Sequence, residues 1–115
     1  MLVEDSWGHV FGAFIGNPIQ NSSNYYGSAE SFVFSLSPIA KKYKWTGANN
    51  YFVISDHNHF CVGGGGDGFA FQLDDELDTG VSNRSATFDN EQLASSEFFK
   101  TLNVELWFLD WKFDI

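Results

Sequence analysis

Short apolar segments recur along the chain, and polar or turn-forming residues separate them. In the clearest segment, residues 31–36, Phe32, Phe34 and Leu36 occupy alternate positions and therefore share one face of a strand. The same pattern predicts strands at residues 2–4, 9–15, 31–36, 51–54, 59–62, 69–73 and 104–108. Because no long stretch has apolar positions at helical spacing, we expect a mainly β protein. The predicted fold is a two-sheet antiparallel β-sandwich with short flanking helical turns.

The polar segments between these strands define the loops. Residues 18–27 and 74–90 are rich in Asn, Asp, Ser and Gly and are predicted to be irregular, whereas residues 91–99 can hold one or two helical turns. The chain has 115 residues, the length of one domain, and neither a repeat nor a linker divides it. We therefore expect a single domain over residues 1–115.

Composition narrows the class of partner. Hydrophobic residues make up 43% of the chain and include 13 Phe, which favours a packed core over disorder. The formal net charge of -9 repels nucleic acid and anionic lipid, so a basic protein surface is the expected partner. The apolar runs are too short for membrane insertion. The single cysteine, Cys61, cannot form an internal disulfide and fits a reducing, cytoplasmic location.

A run of glycines lies between two apolar segments. It consists of Gly63, Gly64, Gly65 and Gly66, with Gly68 beyond Asp67. A Walker loop would need Lys-Ser/Thr after its last glycine, and a dinucleotide-binding loop would need a helix, but Phe69 and Phe71 continue as a strand. A bulged connection between two strands explains the run better, because glycine adopts backbone shapes that other residues avoid. We predict a structural role and no cofactor.

Two further stretches raise the question of metal binding. His57, His59 and Cys61 alternate along an extended segment, and such a set can bind zinc. The Glu that a cupin-like site would add is missing, so solvated histidines and a buried cysteine are the preferred interpretation. An acidic stretch follows at Asp74, Asp75, Glu76 and Asp78. It lacks the Gly and Glu of an EF-hand loop, so we predict no metal and a solvated loop that binds a protein partner.

Glu30 stands at the head of the strongest apolar strand. A carboxylate there is predicted to be partly buried and to accept hydrogen bonds from nearby backbone amides. No Gly-x-Ser-x-Gly elbow is present to hold a serine nucleophile. If the chain is nevertheless an enzyme, Glu30 with His9 or Cys61 is the candidate catalytic set of a small hydrolase or antioxidant enzyme.

Several motifs in series resemble one family. They are residues 8–14, 26–34, 43–47 and 50–52, the glycine run with residues 73–74, positions within 77–90, and Val104-Glu105-Leu106-Trp107. In this order and spacing they are similar to the TLDc domain, which occurs in oxidation-resistance proteins and in some TBC-domain and LysM-domain proteins. The resemblance covers nearly the whole chain. It gives structural roles to Gly12, Gly27, Glu30, Gly63, Gly64, Gly65, Gly66 and Trp107.

The resemblance implies a β-sandwich that is not an enzyme and that protects against oxidative stress. It also implies binding or regulation of the vacuolar-type proton ATPase, through which the cytoplasmic protein would associate peripherally with organelle membranes. TLDc domains usually begin well before the strand at Leu2, so we expect the single domain to be truncated at its N-terminus. The alternatives are the small enzyme above and a non-functional truncated product.

This chain also departs from the family at two places. Residues 78–82 replace the usual Tyr-His-Gly-Arg-Ser, and Ser85 with Ala86 stands where a cysteine usually precedes Thr87 and Phe88. A role that depends on that histidine or that cysteine is therefore not expected here.

Overall fold

The computed structural model describes residues 1–107, which form ten strands and no helix. The strands are β1 Leu2–Asp5, β2 Val10–Phe14, β3 Ser22–Tyr26, β4 Phe32–Ser37, β5 Lys41–Lys44, β6 Val53–Ser55, β7 His59–Val62, β8 Phe71–Asp74, β9 Thr79–Val81 and β10 Phe98–Glu105. The prediction of a mainly β protein is confirmed. No helix in the described part of the chain is long and apolar enough to cross a membrane.

All ten strands join one antiparallel sheet, in the order β3-β6-β7-β8-β9-β10-β1-β2-β4-β5. The two separate sheets of the prediction are therefore not observed. Strand β10 joins the two halves of the sheet, because its residues 98–100 pair with β9 while residues 101–105 pair with β1. The first and the last strand of the described chain are thus neighbours, with Leu2 opposite Glu105.

The sheet bends over its own core. Phe11 on β2 and Phe71 on β8 are four strands apart in the sheet order, which would separate them by about 19 Å if the sheet were flat. Their ring centroids are 5.5 Å apart, and Phe99 on β10 lies 5.4 Å from the same Phe11 ring. All three rings are buried. A single curved sheet therefore encloses the core that two facing sheets were predicted to share.

The helical turns predicted at residues 91–99 are not present. Backbone amides of this segment bond to distant side chains instead of to carbonyl groups of a helix. The Leu93 amide donates to Ser82 Oγ at 2.8 Å, and the Ser95 amide donates to Asp5 Oδ2 at 2.8 Å. Leu93 is also buried in the core. These tertiary contacts outweigh the local helical preference, and β10 begins at Phe98 rather than at Val104.

Two strands, β3 and β9, lie in segments that were predicted to be loops. In β3, the Tyr26 hydroxyl and Ser55 Oγ are hydrogen-bonded at 2.6 Å, and the ring of Tyr25 stacks on Tyr51 with centroids 4.8 Å apart. Cross-strand aromatic contacts of this kind stabilise strand pairing even where the sequence is polar. At the other end of the chain, the predicted strand position Phe108 lies outside the described residues.

Candidate functional site

The glycine-rich connection between β7 and β8 packs on the segment that follows β9. Positive φ angles occur at Gly63, Gly65, Gly66 and Gly68. The amide of Gly64 donates to Thr87 Oγ1 at 3.0 Å, and the amide of Asp67 donates to the Arg84 carbonyl at 2.9 Å. Because protein acceptors occupy these amides, the geometry supports the predicted structural role over a phosphate cradle.

A buried polar network around this connection was not anticipated from the sequence. Ser82, Ser85, Thr87 and Asn90 are all fully buried, although they lie in residues 74–90, a segment predicted to be polar and irregular. Ser85 Oγ donates to Asn90 Oδ1 at 2.7 Å, and the Asn90 amide donates to the Asn83 carbonyl at 2.8 Å. Each of these buried polar groups has a hydrogen-bond partner that the fold brings to it. The spacing of apolar residues along the sequence does not reveal such partners. The network fixes the glycine connection without offering a free reactive group.

Glu30 and His9 lie at opposite ends of β2. His9 precedes Val10, which pairs with Ser37, whereas Glu30 lies near Gly16 beyond the other end of the strand. The two side chains are therefore separated by about 20 Å of extended backbone. Glu30 is exposed, so the prediction that it is partly buried was wrong. The geometry does not bring the proposed catalytic pair together.

Cys61 and the two nearby histidines also fail to form a site. Cys61 is buried against the core, and burial, with a smaller effect from Asp56, raises the pKa of its thiol to about 12. A thiol with such a pKa is a poor nucleophile at neutral pH. His57 and His59 are exposed, as predicted for solvated histidines. Within residues 1–107, no three His, Cys, Asp or Glu side chains cluster to hold a metal ion.

The acidic stretch forms the turn between β8 and β9. Asp74 organises this turn, because Oδ1 accepts the Asp78 amide and Oδ2 accepts the Thr79 hydroxyl, both at 2.8 Å. These hydrogen bonds, the Asp78 amide first, lower the pKa of the Asp74 carboxyl. Asp75, Glu76 and Asp78 are exposed. The prediction of a solvated acidic loop thus holds for these three carboxylates, whereas Asp74 is committed to the turn.

A groove of about 590 Å³ lies beside the acidic turn, on the outer face of β7 to β10. Gln72 and Val81 pair across β8 and β9 and line the groove, together with Phe98 of β10. Trp7, in the turn between β1 and β2, lines it as well. Sequence reasoning missed this groove, because its residues come from five elements, namely the β1–β2 turn and strands β7, β8, β9 and β10.

Three of the remaining motif residues have different roles. A Cβ on Gly12 would collide with the Met1 carbonyl and the Phe34 ring, and one on Gly27 would lie 2.7 Å from Phe52 Cβ. Both glycines are thus required by close packing. Trp107 is 71% exposed, and it lines a second groove, of about 640 Å³, near Phe14 on the opposite part of the sheet.

The chain is similar in sequence to known proteins over almost its whole length. The family model for the TLDc domain matches residues 1–110. Human oxidation resistance protein 1 is 40% identical over 107 residues, which are 93% of this chain and 12% of that protein. Human nuclear receptor coactivator 7 is 37% identical over 110 residues, or 96% of this chain and 12% of that protein. Oxidation resistance protein 1 of Xenopus tropicalis is 36% identical over 107 residues, again 93% and 12%.

The chain spans about an eighth of the length of these curated relatives. The matched region includes all ten strands of the described residues, the glycine connection and the acidic turn. The chain belongs to the TLDc domain family.

Proposed function

We propose that this domain is a non-enzymatic protein-interaction module in oxidative-stress protection, and that it binds or regulates the vacuolar-type proton ATPase. The observation that carries the proposal is the exposed acidic turn, in which Asp75, Glu76 and Asp78 project from the β8–β9 hairpin. Family membership supports the stress-related role, since some relatives are named for oxidation resistance. The ATPase is nominated by the family resemblance.

The charge of the domain supports a basic protein partner. The formal net charge is -9, and the acidic turn concentrates part of it at one end of the sheet. Exposed charges at the rim of an interface mainly accelerate association and set its salt dependence. We therefore expect association with the partner to slow as ionic strength rises. As part of this proposal, a cytoplasmic domain would meet the ATPase at the organelle surface and so associate with the membrane peripherally, without insertion.

The proposal that the domain is not an enzyme rests on the positions of the residues that the alternative, a small enzyme, would use. Glu30 and His9 are separated by the length of β2, and the Cys61 thiol is buried. Among residues 1–107, no specific contact favours the hydrolase or antioxidant enzyme over a binding role.

The test uses the full chain and the purified soluble sector of the proton ATPase. Asp75→Lys with Glu76→Lys should slow association by about tenfold at low salt, because the steering charge is reversed. A double variant with Glu30→Lys and Asp67→Lys makes the same change in net charge on exposed residues away from the turn. This control variant should associate with the sector nearly as fast as the unmodified domain does.

Two results would count against the proposal. One is failure of the unmodified domain to bind the soluble sector at low salt. The other is equal slowing by the two double variants, which would mean that net charge acts and the turn does not. Asp74 is left unchanged in both variants, because its carboxylate holds the turn together.

A further inference from the structure

Two large aromatic side chains remain exposed beside the groove on β7 to β10. Trp7 is 81% exposed and Phe98 is 72% exposed. Trp7 is brought there by the hydrogen bond from the Ser6 amide to the Lys100 carbonyl, which fixes the β1–β2 turn against β10. Aromatic side chains that flank a concave surface are typical of protein-binding sites, because their burial contributes much of the binding free energy.

The strands under the groove already have partners in the sheet. Strands β7, β8 and β9 each lie between two other strands, while β10 pairs with β9 through residues 98–100 and with β1 through residues 101–105. The groove therefore presents mainly side chains, among them the two exposed aromatics. This lining favours an occupant that inserts a large side chain between the two aromatics.

Charge around the groove is uneven. Asp74 lines the end nearest the β8–β9 turn, where Asp78 and Glu76 are also exposed. Lys100 lines the groove beside the same turn, because it lies opposite Thr79, which follows Asp78. His59, the partner of Asp74 on β7, lines the groove there as well. Three carboxylates at this turn outnumber the Lys100 ammonium, so a cation on the occupant is favoured at the turn and repelled only close to Lys100.

We propose that the groove between Trp7 and Phe98 docks a basic segment of a partner protein. A large apolar side chain of that segment enters the groove, and a neighbouring Lys or Arg contacts the β8–β9 turn. This inference rests on the proposed function, since it uses the same acidic turn, and it adds the apolar anchor that would set the lifetime of the complex. Charges steer the approach, whereas the buried anchor slows dissociation.

The first test is a titration of the full chain, followed by the backbone amide signals in nuclear magnetic resonance. Three capped peptides serve as probes: Gly-Arg-Trp-Arg-Gly, Gly-Arg-Ala-Arg-Gly and Gly-Glu-Trp-Glu-Gly. The first should give saturable shifts at Gly80, Val81 and Phe98. The second should bind about tenfold more weakly because it lacks the anchor, and the third more weakly still because its charge is reversed.

Substitutions in the domain test whether the first peptide binds in the groove. Trp7→Ala and Phe98→Ala should each weaken the first peptide by about tenfold. Leu102→Ala is the matched control, because Leu102 is 67% exposed on the same strand as Phe98 but does not line the groove. It should leave the dissociation constant unchanged. Lys100→Gln should strengthen binding, because it removes the repelling cation.

The inference is overturned if the first peptide causes no shifts, if the shifts lie outside the groove, or if they persist in Trp7→Ala and Phe98→Ala. So would equal binding of the Trp and Ala peptides.

A kinetic measurement on the ATPase sector separates this inference from the proposed function. If both are correct, Trp7→Ala speeds dissociation about tenfold with little change in association, and the turn reversals slow association. If only the turn variants change the kinetics, the groove inference fails and the proposed function stands. If the sector does not bind but the peptide titration succeeds, the proposed partner fails and the groove inference stands.

Discussion

Asp5→Asn tests the contact that fixes the β1–β2 turn to the rest of the sheet. The Asp5 side chain is fully buried, and Oδ1 accepts the backbone amides of Trp7 and His9, both at 3.0 Å. Oδ2 accepts the amide of Ser95 at 2.8 Å, from 90 residues away. In the Asn variant, one oxygen acceptor becomes an NH₂ donor. A buried donor then faces another donor, and at least one hydrogen bond is lost.

The expected cost follows from these three contacts. A hydrogen bond to a charged group contributes about 1.5–3 kcal/mol, and a buried donor left unpaired costs about 1–3 kcal/mol. We therefore expect the free energy of unfolding to fall by about 3 kcal/mol at neutral pH. For a domain of this size, that corresponds to a melting temperature lower by about 12 °C.

The pH dependence gives an independent check. Burial alone would raise the pKa of Asp5, but the hydrogen bonds from Ser95, His9 and Trp7 outweigh it and lower the pKa below the ordinary value of 3.8. Because the folded pKa is the lower one, the stabilising contribution is present above the unfolded pKa and is lost as pH falls through the folded pKa. Stability of the unmodified domain should therefore decrease below about pH 4 more steeply than that of Asp5→Asn.

Urea unfolding, followed by circular dichroism from neutral pH to about pH 3, measures both effects. Asp75→Asn is the control, since this exposed carboxylate in another turn should change stability by less than about 0.5 kcal/mol. The reasoning is refuted if Asp5→Asn is as stable as the control at neutral pH, or if the two variants lose stability in parallel on acidification.

Three other substitutions and one labelling reaction test the packing and exposure of single residues. Gly63→Ala places a Cβ 2.9 Å from Ser85 Oγ at a φ of +76, and should destabilise by about 2 kcal/mol or more. Gly8→Ala, at a φ of +89 in open space, should cost only about 1 kcal/mol; equal costs in urea unfolding would contradict the packing argument. Glu30→Ala should alter the free energy of unfolding by less than about 0.5 kcal/mol, and a larger loss would show that its carboxylate is engaged. Cys61 should resist Ellman's reagent in the native protein and react fully in urea, and rapid native labelling would disprove its burial.

Period-two alternation predicted which residues of β4 share a face but not which face is inside. Phe32 and Phe34 do lie together, yet they are only half-buried, while Val33 between them is fully buried. Lys42 Nζ lies 4.2 Å from the centroid of the Phe32 ring, and the Phe14 ring stacks on it at 5.4 Å. Neighbouring strands supply these contacts, so the sequence of β4 alone does not determine which of its two faces is buried.

The candidate site could be predicted only in part. The acidic turn was visible because Asp75, Glu76 and Asp78 lie within four consecutive positions, and a sequence shows directly which residues are close along the chain. The groove was not visible, because Trp7 and Phe98 are 91 positions apart and meet only when β10 pairs between β9 and β1. Buried polar residues such as Asn90 were missed for a related reason, since their partners come from the folded loop.

Strand β10 has a consequence for synthesis on the ribosome. Until residue 105 has left the exit tunnel, strand β1 lacks its partner on one side, and β9 lacks its second partner until residues 98–100 emerge. An emerging chain would therefore expose two open strand edges and an uncovered set of phenylalanine rings, which is a hazard for aggregation. Messages that end before this strand should yield no stable partial domain. Chaperones that hold nascent chains are consequently expected to engage this domain until its final strand is complete.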